Sequence, residues 1–588
     1  MKSVVSFLNA WVGRARSTVA SFHWKEAIIH PLVLAVFPIL SLYVKNMGEG
    51  FLRETLRIAT GILALACLFW LFVNTLVKNK RKSAIIVSTF FVLFFSYGHA
   101  LSAFSTALEW LPILNSADFL VEGRRTLRIW LVVWAGLFAA TSGSVVRVKK
   151  DLGSLTTFLN VVSLALAFIV GVNGVAGGVS LYWPRVRAGI GASTGANHPA
   201  QVNRDLKSRQ FLPLVVRSSP DKGLEKEALF DELLSSWQEE SSSEDTVSAS
   251  SPDIYYIIVD AYARADILEE IYGLDNSEFL SYLGEKGFYV ADESFANYPQ
   301  TALSLSSSLN SIYLDGLVER IGEGTNNRQP LEAMIKNNRF FRFLRDRGYT
   351  LVSFSSGYGP TDFTDADLYM APREPWKLTE FQEALVMLTP VSVFSKVRSD
   401  FHRARVAYAL NHIADGAQVD GPALVFAHIT APHFPFVFDA DGKPVEPPRG
   451  IGNREDYSYD EYVAGYRNQL TYITKRLRVA IEEIISQSAD PPIVVLQSDH
   501  GPCARLASGW KVEDTDVSER MSILNAYYFP DQDYESLYES ISPVNTFRVV
   551  LNDYFGTDYE LLEDRSYFSS WGRPYLFTEV TRDVLAGR

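Results

Sequence analysis

The chain has 588 residues, 47% of them apolar and 21% charged, with a formal net charge of −12; that length exceeds one ordinary domain. Its two cysteines, Cys67 and Cys503, exclude a disulfide framework and any multi-cysteine zinc or iron–sulfur site. Residues 1–177 carry 17 Lys/Arg against 7 Asp/Glu, a balance of +10, which leaves 38 basic and 60 acidic residues, or −22, on the remainder. That acidic surplus argues against a nucleic-acid partner, since polyanion binding needs Lys and Arg against phosphates.

Residues 1–177 read as an all-α transmembrane domain. Five mostly apolar runs, Ala27–Val44, Ile58–Val77, Ala84–Leu101, Ile129–Val146 and Leu155–Val175, are long enough to cross a hydrocarbon core about 30 Å thick at about 1.5 Å per residue. The first starts too late and runs too long for a signal-peptide core, so it is expected to be retained. With the amino terminus inside, the inner connections hold eleven basic residues, among them Arg14, Lys80, Arg81 and Lys149, against six in the outer ones. The excess of positive charge predicts a cytoplasmic amino terminus, and five spans then put residues 178–588 outside the cytoplasm. His30 and His99 fall within spans and are expected to be neutral imidazoles hydrogen-bonded between helices or near an interface, without chemistry of their own.

Residues 178–252 read as a tether. Its second half is Ser-rich and acidic after Trp237 and cannot bury a core, although a short helix is expected near Leu224–Leu234. His198 lies in this segment and is expected to be unrelated to any site.

From residue 253 to 588 the pattern becomes regular. Apolar, β-rich runs at Ile254–Val259, Thr350–Phe354, Ala423–Ala427, Ile493–Gln497 and Asn525–Phe529 alternate with helical stretches at Asn276–Lys286, Pro330–Arg347 and Glu461–Ser486. Continuous apolar strands separated by helices predict an α/β domain with a mostly parallel sheet covered on both faces. Ligands of such sheets bind at the carboxyl ends of the strands. Three strands there end in Asp260, in His428, and in Asp499-His500-Gly501-Pro502. Carboxylate and imidazole together suit zinc or manganese. Taken singly, Asp260 reads equally as a helix cap, Asp499 as the start of a turn and His428 as a core histidine; the coincidence on one sheet edge favours a metal site.

The stretch Asn297-Tyr-Pro-Gln-Thr301 puts Pro299 just ahead of a Ser/Leu-rich helical run, so Thr301 falls in or near a first helical turn. Backbone N–H groups there favour an anion, and a bound cation would activate the hydroxyl. A plain helix-capping threonine is the alternative.

Taken in order, Pro-Asp-Ile-Tyr-Tyr-Ile-Ile-Val-Asp260, Tyr298-Pro-Gln-Thr301, His428-Ile-Thr-Ala-Pro-His433 and Asp499-His500-Gly-Pro, preceded by five spans, resemble the membrane-anchored sulfatase-like branch of the alkaline phosphatase superfamily. That branch includes lipoteichoic acid synthase, the phosphoglycerol transferases and the phosphoethanolamine transferases. The similarity runs over about Asp253–Phe577 in order and spacing, and the membrane part agrees in architecture only. It implies an alkaline-phosphatase/sulfatase-like catalytic domain and one divalent metal, manganese or zinc, held by Asp260, Thr301, Asp499 and His500. It also implies that Thr301 is the nucleophile, and that His428 and His433 face the transferred group, bind the acceptor or help hold a second metal. Asp260 stands where lipoteichoic acid synthase and the phosphoethanolamine transferases have Glu, and the disulfides of the latter cannot form here. The Cys-x-Pro-x-Arg of formylglycine sulfatases is replaced by Cys503-Ala-Arg-Leu-Ala, which argues against a true sulfatase.

Arg264 and Arg505 are close in sequence to these residues and are candidates for binding substrate and stabilising transition-state charge. The Gly- and Ser-containing segment Ser353–Asp362 reaches the same sheet edge and reads equally as a phosphate cradle or a plain loop. His402 and His412, on a helical stretch, are expected to be structural.

Three functions fit. The first is a phosphotransferase at the outer face of a bacterial plasma membrane, moving phosphoglycerol or phosphoethanolamine from a phospholipid through Thr301 to an envelope glycan or lipid. The second is a phosphodiesterase or esterase with the same site and water as acceptor. The third is a catalytically silent membrane protein that binds a glycan or a partner.

Overall fold

The computed structural model describes residues 27–47, 52–109, 123–194, 251–373, 379–391, 397–445, 454 and 457–586. Most of the predicted tether, with His198 and the expected helix at 224–234, lies outside these. The chain divides into two compact units: Met1–Val179 with Phe381–Lys396, and Ser180–Glu380 with Val397–Arg588.

The first unit contains α1 (His30–Lys45), α2 (Leu52–Val77), α3 (Lys80–Glu109), α4 (Gly123–Arg147) and α5 (Gly153–Thr194). Each expected apolar run falls on one of them. Among the described residues, four stretches, Leu52–Val77, Lys80–Ala100, Trp130–Arg147 and Gly153–Val175, are long and apolar enough to cross a membrane, and α1 is a shorter apolar helix. Leu65, Leu68, Leu71 and Phe72 of α2 point outward, as side chains facing hydrocarbon do. The start of α1 is completed by Asn160 of α5, whose Oδ1 accepts the N–H groups of Ile29 and His30 at 3.1 Å each while its Nδ2 donates to Ala27 O. Helix starts leave N–H groups unpaired, and lipid offers them no partner. His30 is buried with Nδ1 2.5 Å from Ser88 Oγ, bridging α1 and α3, whereas His99 lies exposed on α3.

The short helix Glu380–Met387 brings a distant part of the chain into this unit. Phe381 is buried in a cluster with Ile39 and Ala59, and the N–H of Gly98 donates to Leu388 O at 3.1 Å. A Cβ on Gly98 would overlap Met387 O, so this close approach requires glycine.

The second unit is α/β, as the strand pattern predicts. Its main sheet contains β1 (Ile254–Val259), β2 (Tyr289–Val290), β3 (Thr350–Phe354), β4 (Leu368–Met370), β5 (Ala423–Ile429), β6 (Ile493–Gln497) and β7 (Asn525–Tyr528), in the order β2-β7-β6-β1-β5-β3-β4. The strands β6, β1, β5, β3 and β4 are mutually parallel, whereas β7 is antiparallel to both β6 and β2. A separate hairpin joins β8 (Tyr567–Ser570) to β9 (Arg573–Glu579). The helices used below are α6 (Thr301–Ser308), α7 (Tyr459–Gln487) and α8 (Pro543–Phe555).

All six residues of β1 are buried. Alternation along the strand sends Tyr255, Ile257 and Val259 into one core with Tyr466, Leu470 and Ile473 of α7. It sends Ile254, Tyr256 and Ile258 into a second with Phe547 and Val550 of α8. Ile258 pairs with both His428 of β5 and Gln497 of β6, so the ends of the three central strands come level at one edge.

Candidate metal centre and nucleophile

The backbone at that edge is stitched together before any side chain is considered. Asp260 N–H donates to Ile429 O, and Asp260 O accepts from His433 N–H, both at 3.0 Å. Tyr262 N–H donates to Ser498 Oγ at 2.9 Å, and that hydroxyl donates to His500 O at 2.8 Å. The Tyr466 hydroxyl of α7 donates to Ala261 O, which holds Ala261 at a left-handed φ of +64°. Strain of this kind persists only where neighbours over-determine the backbone. A Cβ on Gly501 would overlap Glu519 O, so the turn after His500 needs glycine.

Asp260, His428, Asp499 and His500 are at most 5% exposed, and their polar atoms converge. His500 Nε2 lies 3.7 Å from Asp260 Oδ1, 3.4 Å from Asp499 Oδ2 and 3.2 Å from Thr301 Oγ1. His428 Nε2 lies 3.4 Å from Asp260 Oδ2. Asp260, His433 and His500 offer ligand atoms within 4.8 Å of one another, as do Asp260, His428 and Asp499. Asp260 belongs to both groups.

The hydrogen bonds fix which imidazole nitrogen carries the proton. His500 Nδ1 is 3.0 Å from Gly501 O, and His433 Nδ1 is 2.6 Å from Phe434 O. A carbonyl only accepts, so both Nδ1 atoms are protonated and, in the neutral rings, both Nε2 lone pairs are free. His428 Nδ1 is 2.8 Å from Thr361 Oγ1, which in turn reaches Tyr358 O at 3.3 Å. With the threonine proton on that carbonyl, His428 adopts the same tautomer.

Lone pairs therefore face carboxylate oxygens in a buried space. Both carboxylate oxygens of Asp499, Oδ1 of Asp260 and Nε2 of His428 are buried without a hydrogen-bond partner. A buried acceptor left unpaired costs about 1–3 kcal/mol, and several facing one another repel. A cation removes that conflict. Ligands about 2.1 Å from a tetrahedral zinc sit about 3.4 Å apart, which matches the observed spacings of 3.2–3.7 Å. The residues therefore fit a divalent metal.

Electrostatics agrees. Burial alone would raise the pKa of Asp260; positive charge on His433, His428 and His500 outweighs it and holds the carboxyl well below its usual range, a stabilisation that the neutral rings do not give and that a cation would supply. Burial, with the neighbouring Asp260 charge, pushes Asp499 up to about 7. Burial depresses His433, and depresses His500 further with help from the Arg520 charge. An ionised Asp260 beside an Asp499 that resists a second negative charge, with neutral imidazoles whose lone pairs are free, makes a receptor for positive charge.

Not every candidate joins this cluster. Arg264 is buried, but its guanidinium turns onto Asp266 at 2.7 and 2.8 Å and donates to Ser294 O. Arg505 pairs with Asp516 at 2.9 Å and reaches Glu270. In each case a nearer carboxylate takes the guanidinium, so proximity in sequence is a poor guide to direction. His412, the last residue of the helix Val397–His412 that also carries His402, bonds Asp415 in the turn that follows. The segment Ser353–Asp362 contributes Thr361 as the partner of His428.

One central residue has no signal in the sequence. Arg520, only 3% exposed, donates from Nε and Nη2 to Pro299 O at 2.9 and 2.6 Å and from Nη1 to Gly501 O at 2.7 Å. It ties the turn before Thr301 to the turn after His500.

No protein-family model matches the chain. No curated protein matches it either. The solved structures it resembles include phosphoethanolamine transferases and sulfatases. One is the C-terminal periplasmic domain of EcEptC from Escherichia coli in complex with Zn, at 13% identity, covering 58% of this chain and 95% of that one with a TM-score of 0.39. Another is the integral membrane protein lipooligosaccharide phosphoethanolamine transferase A from Neisseria meningitidis, at 12% identity over 90% of this chain and 95% of that one, TM-score 0.34. A third is the putative sulfatase yidJ from Bacteroides fragilis, at 15% identity over 56% and 83% respectively, TM-score 0.35.

Proposed function

We propose that the chain is a membrane-anchored, metal-dependent phosphotransferase in which Thr301 carries the transferred group. Asp260, Thr301, Asp499 and His500 hold a manganese or zinc ion, and His428 and His433 face the transferred group or, with Asp260, a second ion. A divalent cation there supplies the positive charge that lowers the pKa of a hydroxyl and stabilises phosphoryl oxygens. The observation that carries the proposal is the Thr301 hydroxyl, 3.2 Å from His500 Nε2 at the rim of a buried cluster of unpaired acceptors.

The step consistent with these groups is an in-line displacement. Thr301 Oγ bonds to the phosphorus of a phospholipid headgroup as the P–O bond to diacylglycerol breaks, and the threonine proton ends on the diacylglycerol oxygen. Thr301 opens α6, so unpaired first-turn N–H groups meet the phosphoryl oxygens. A hydroxyl of an envelope glycan or lipid then bonds to phosphorus, and Thr301 leaves and recovers a proton. The apolar helices keep the chain with its lipid donor, with the amino terminus cytoplasmic and the catalytic unit on the outer face. The headgroup is phosphoglycerol or phosphoethanolamine.

Incubating the purified chain with phospholipid labelled in the headgroup tests this. A headgroup-phosphate adduct on Thr301 by mass spectrometry is expected, with Thr301→Ala losing at least about a thousandfold in rate. Label delivered to a glycan or lipid supports transfer. Label released only as free headgroup phosphate would make the chain a phosphodiesterase with the same site, and a fully active Thr301→Ala would remove the nucleophile.

A further inference from the structure

Two tryptophans flank the residues that precede Thr301, and each is backed by an arginine. Trp571, at the turn between β8 and β9, is 51% exposed. The Arg328 guanidinium lies 4.0 Å from its ring centroid, and Nη2 donates to both Trp571 O and Gln300 Oε1. Gln300 Nε2 in turn donates to Ser570 O at 3.2 Å. On the other side, the Arg520 guanidinium lies 5.3 Å from the Trp510 ring centroid and donates to Pro299 O. Both chains of contact end at Pro299-Gln300, immediately before Thr301. The two indoles are 6.2 Å apart at 46°.

Core packing explains only part of the pair: Trp510 lies against the cluster of Phe295, Met521 and Phe568, its ring centroid 6.4 Å from that of Phe568, whereas Trp571 stands outside that cluster. Trp571 is exposed and Trp510 half-buried, and Trp510 is held at a left-handed φ of +56°. Holding a bulky residue there costs about 1–3 kcal/mol, so the ring is fixed in place by its contacts with Phe568 and Arg520 and not by its own backbone preference. Fixed aromatic faces with a few polar groups nearby are the usual lining of a small-ligand site. Both arginines are turned inward onto carbonyl oxygens, so they do not present a cationic site for a phosphate. The flat C–H face of a pyranose ring fits an indole, leaving its hydroxyls free at the edges.

We propose that Trp510 and Trp571 form a stacking shelf for a neutral sugar ring, which seats the hydroxyl of a glycan or glycolipid acceptor beside Thr301. The acceptor role rests on Thr301 being the group carrier, whereas sugar binding itself is independent of it.

The test is a titration of the full-length chain in detergent, without phospholipid, using cellohexaose, maltohexaose and chitohexaose, read by tryptophan emission and calorimetry. At least one oligosaccharide is expected to bind, with affinity falling about tenfold or more in Trp571→Ala and about threefold in Trp571→Phe. Trp510→Ala should weaken the same sugar. Thermal unfolding reports whether each variant folds, and Trp571→Phe carries the test if Trp571→Ala does not. The shelf is overturned if the native chain binds none of the three, or if a folded Trp571 variant binds as the native chain does. It is also overturned if phosphatidylglycerol vesicles, and not the sugars, give the Trp571-dependent response, which would make the pair a membrane contact. Because no donor lipid is present, the outcome does not depend on whether a phospho-Thr301 forms.

Discussion

Two buried carboxylates lie on opposite sides of Gly501, and they are finished in different ways. Glu519 is fully buried, yet one oxygen accepts the Tyr272 hydroxyl and Ala504 N–H and the other accepts Arg505 N–H. Asp499 is almost as buried, yet neither oxygen has a hydrogen-bond partner. Burial raises the pKa of both. The protein completes the first by itself and leaves the second to something else. An acidic residue in a core is thus no sign of a metal site; unmet acceptors facing imidazole lone pairs are.

Substitutions can break this contrast. The largest effect is expected at Asp499→Asn. In the native chain a cation at about a hundred times its Kd should add about 2.7 kcal/mol of stability. In the variant, thermal unfolding should show no gain on adding manganese or zinc, no loss of stability in chelator, and no transfer activity. Next is Glu519→Gln, which puts an amide donor against backbone N–H donors. It should cost about 1–3 kcal/mol, equally with and without cation, because its carboxylate is a structural partner. The smallest effect sharpens the contrast at the cluster's edge. Thr361→Val removes the group that orients His428, and calorimetry should show cation affinity falling about tenfold, or about 1.4 kcal/mol, with little change in the stability of the chelated protein.

The same contrast separates what the sequence could show from what it could not. Asp260, His428 and Asp499-His500 were legible because each lies at or just beyond the end of an apolar strand, and parallel strands bring such ends to one edge. Thr301 was legible because Pro299 announces the helix that it opens. The strands β1, β3 and β6 coincide with the expected runs, since short apolar β-rich stretches between helices have little freedom. Arg520 and Thr361 were not legible, because their roles depend on where loops from other strands return. The contact of Gly98 with Leu388 was hidden for the same reason: Glu380–Met387 is too short to read as belonging with the apolar helices. Arg264 and Arg505 misled because neighbouring carboxylates, invisible as partners until the chain folds, capture them.

On the proposed function, the acceptors around Asp260 and Asp499 take up a cation. Metal content per polypeptide, measured on the full-length chain in detergent after exposure to manganese or zinc and removal of the excess, tests it most directly. At least one bound ion per native chain is predicted, lost in Asp499→Asn and kept in Glu519→Gln. A native chain that stays empty, or an Asp499→Asn chain that binds as much metal as the native one, would rule out a cation site at these acceptors.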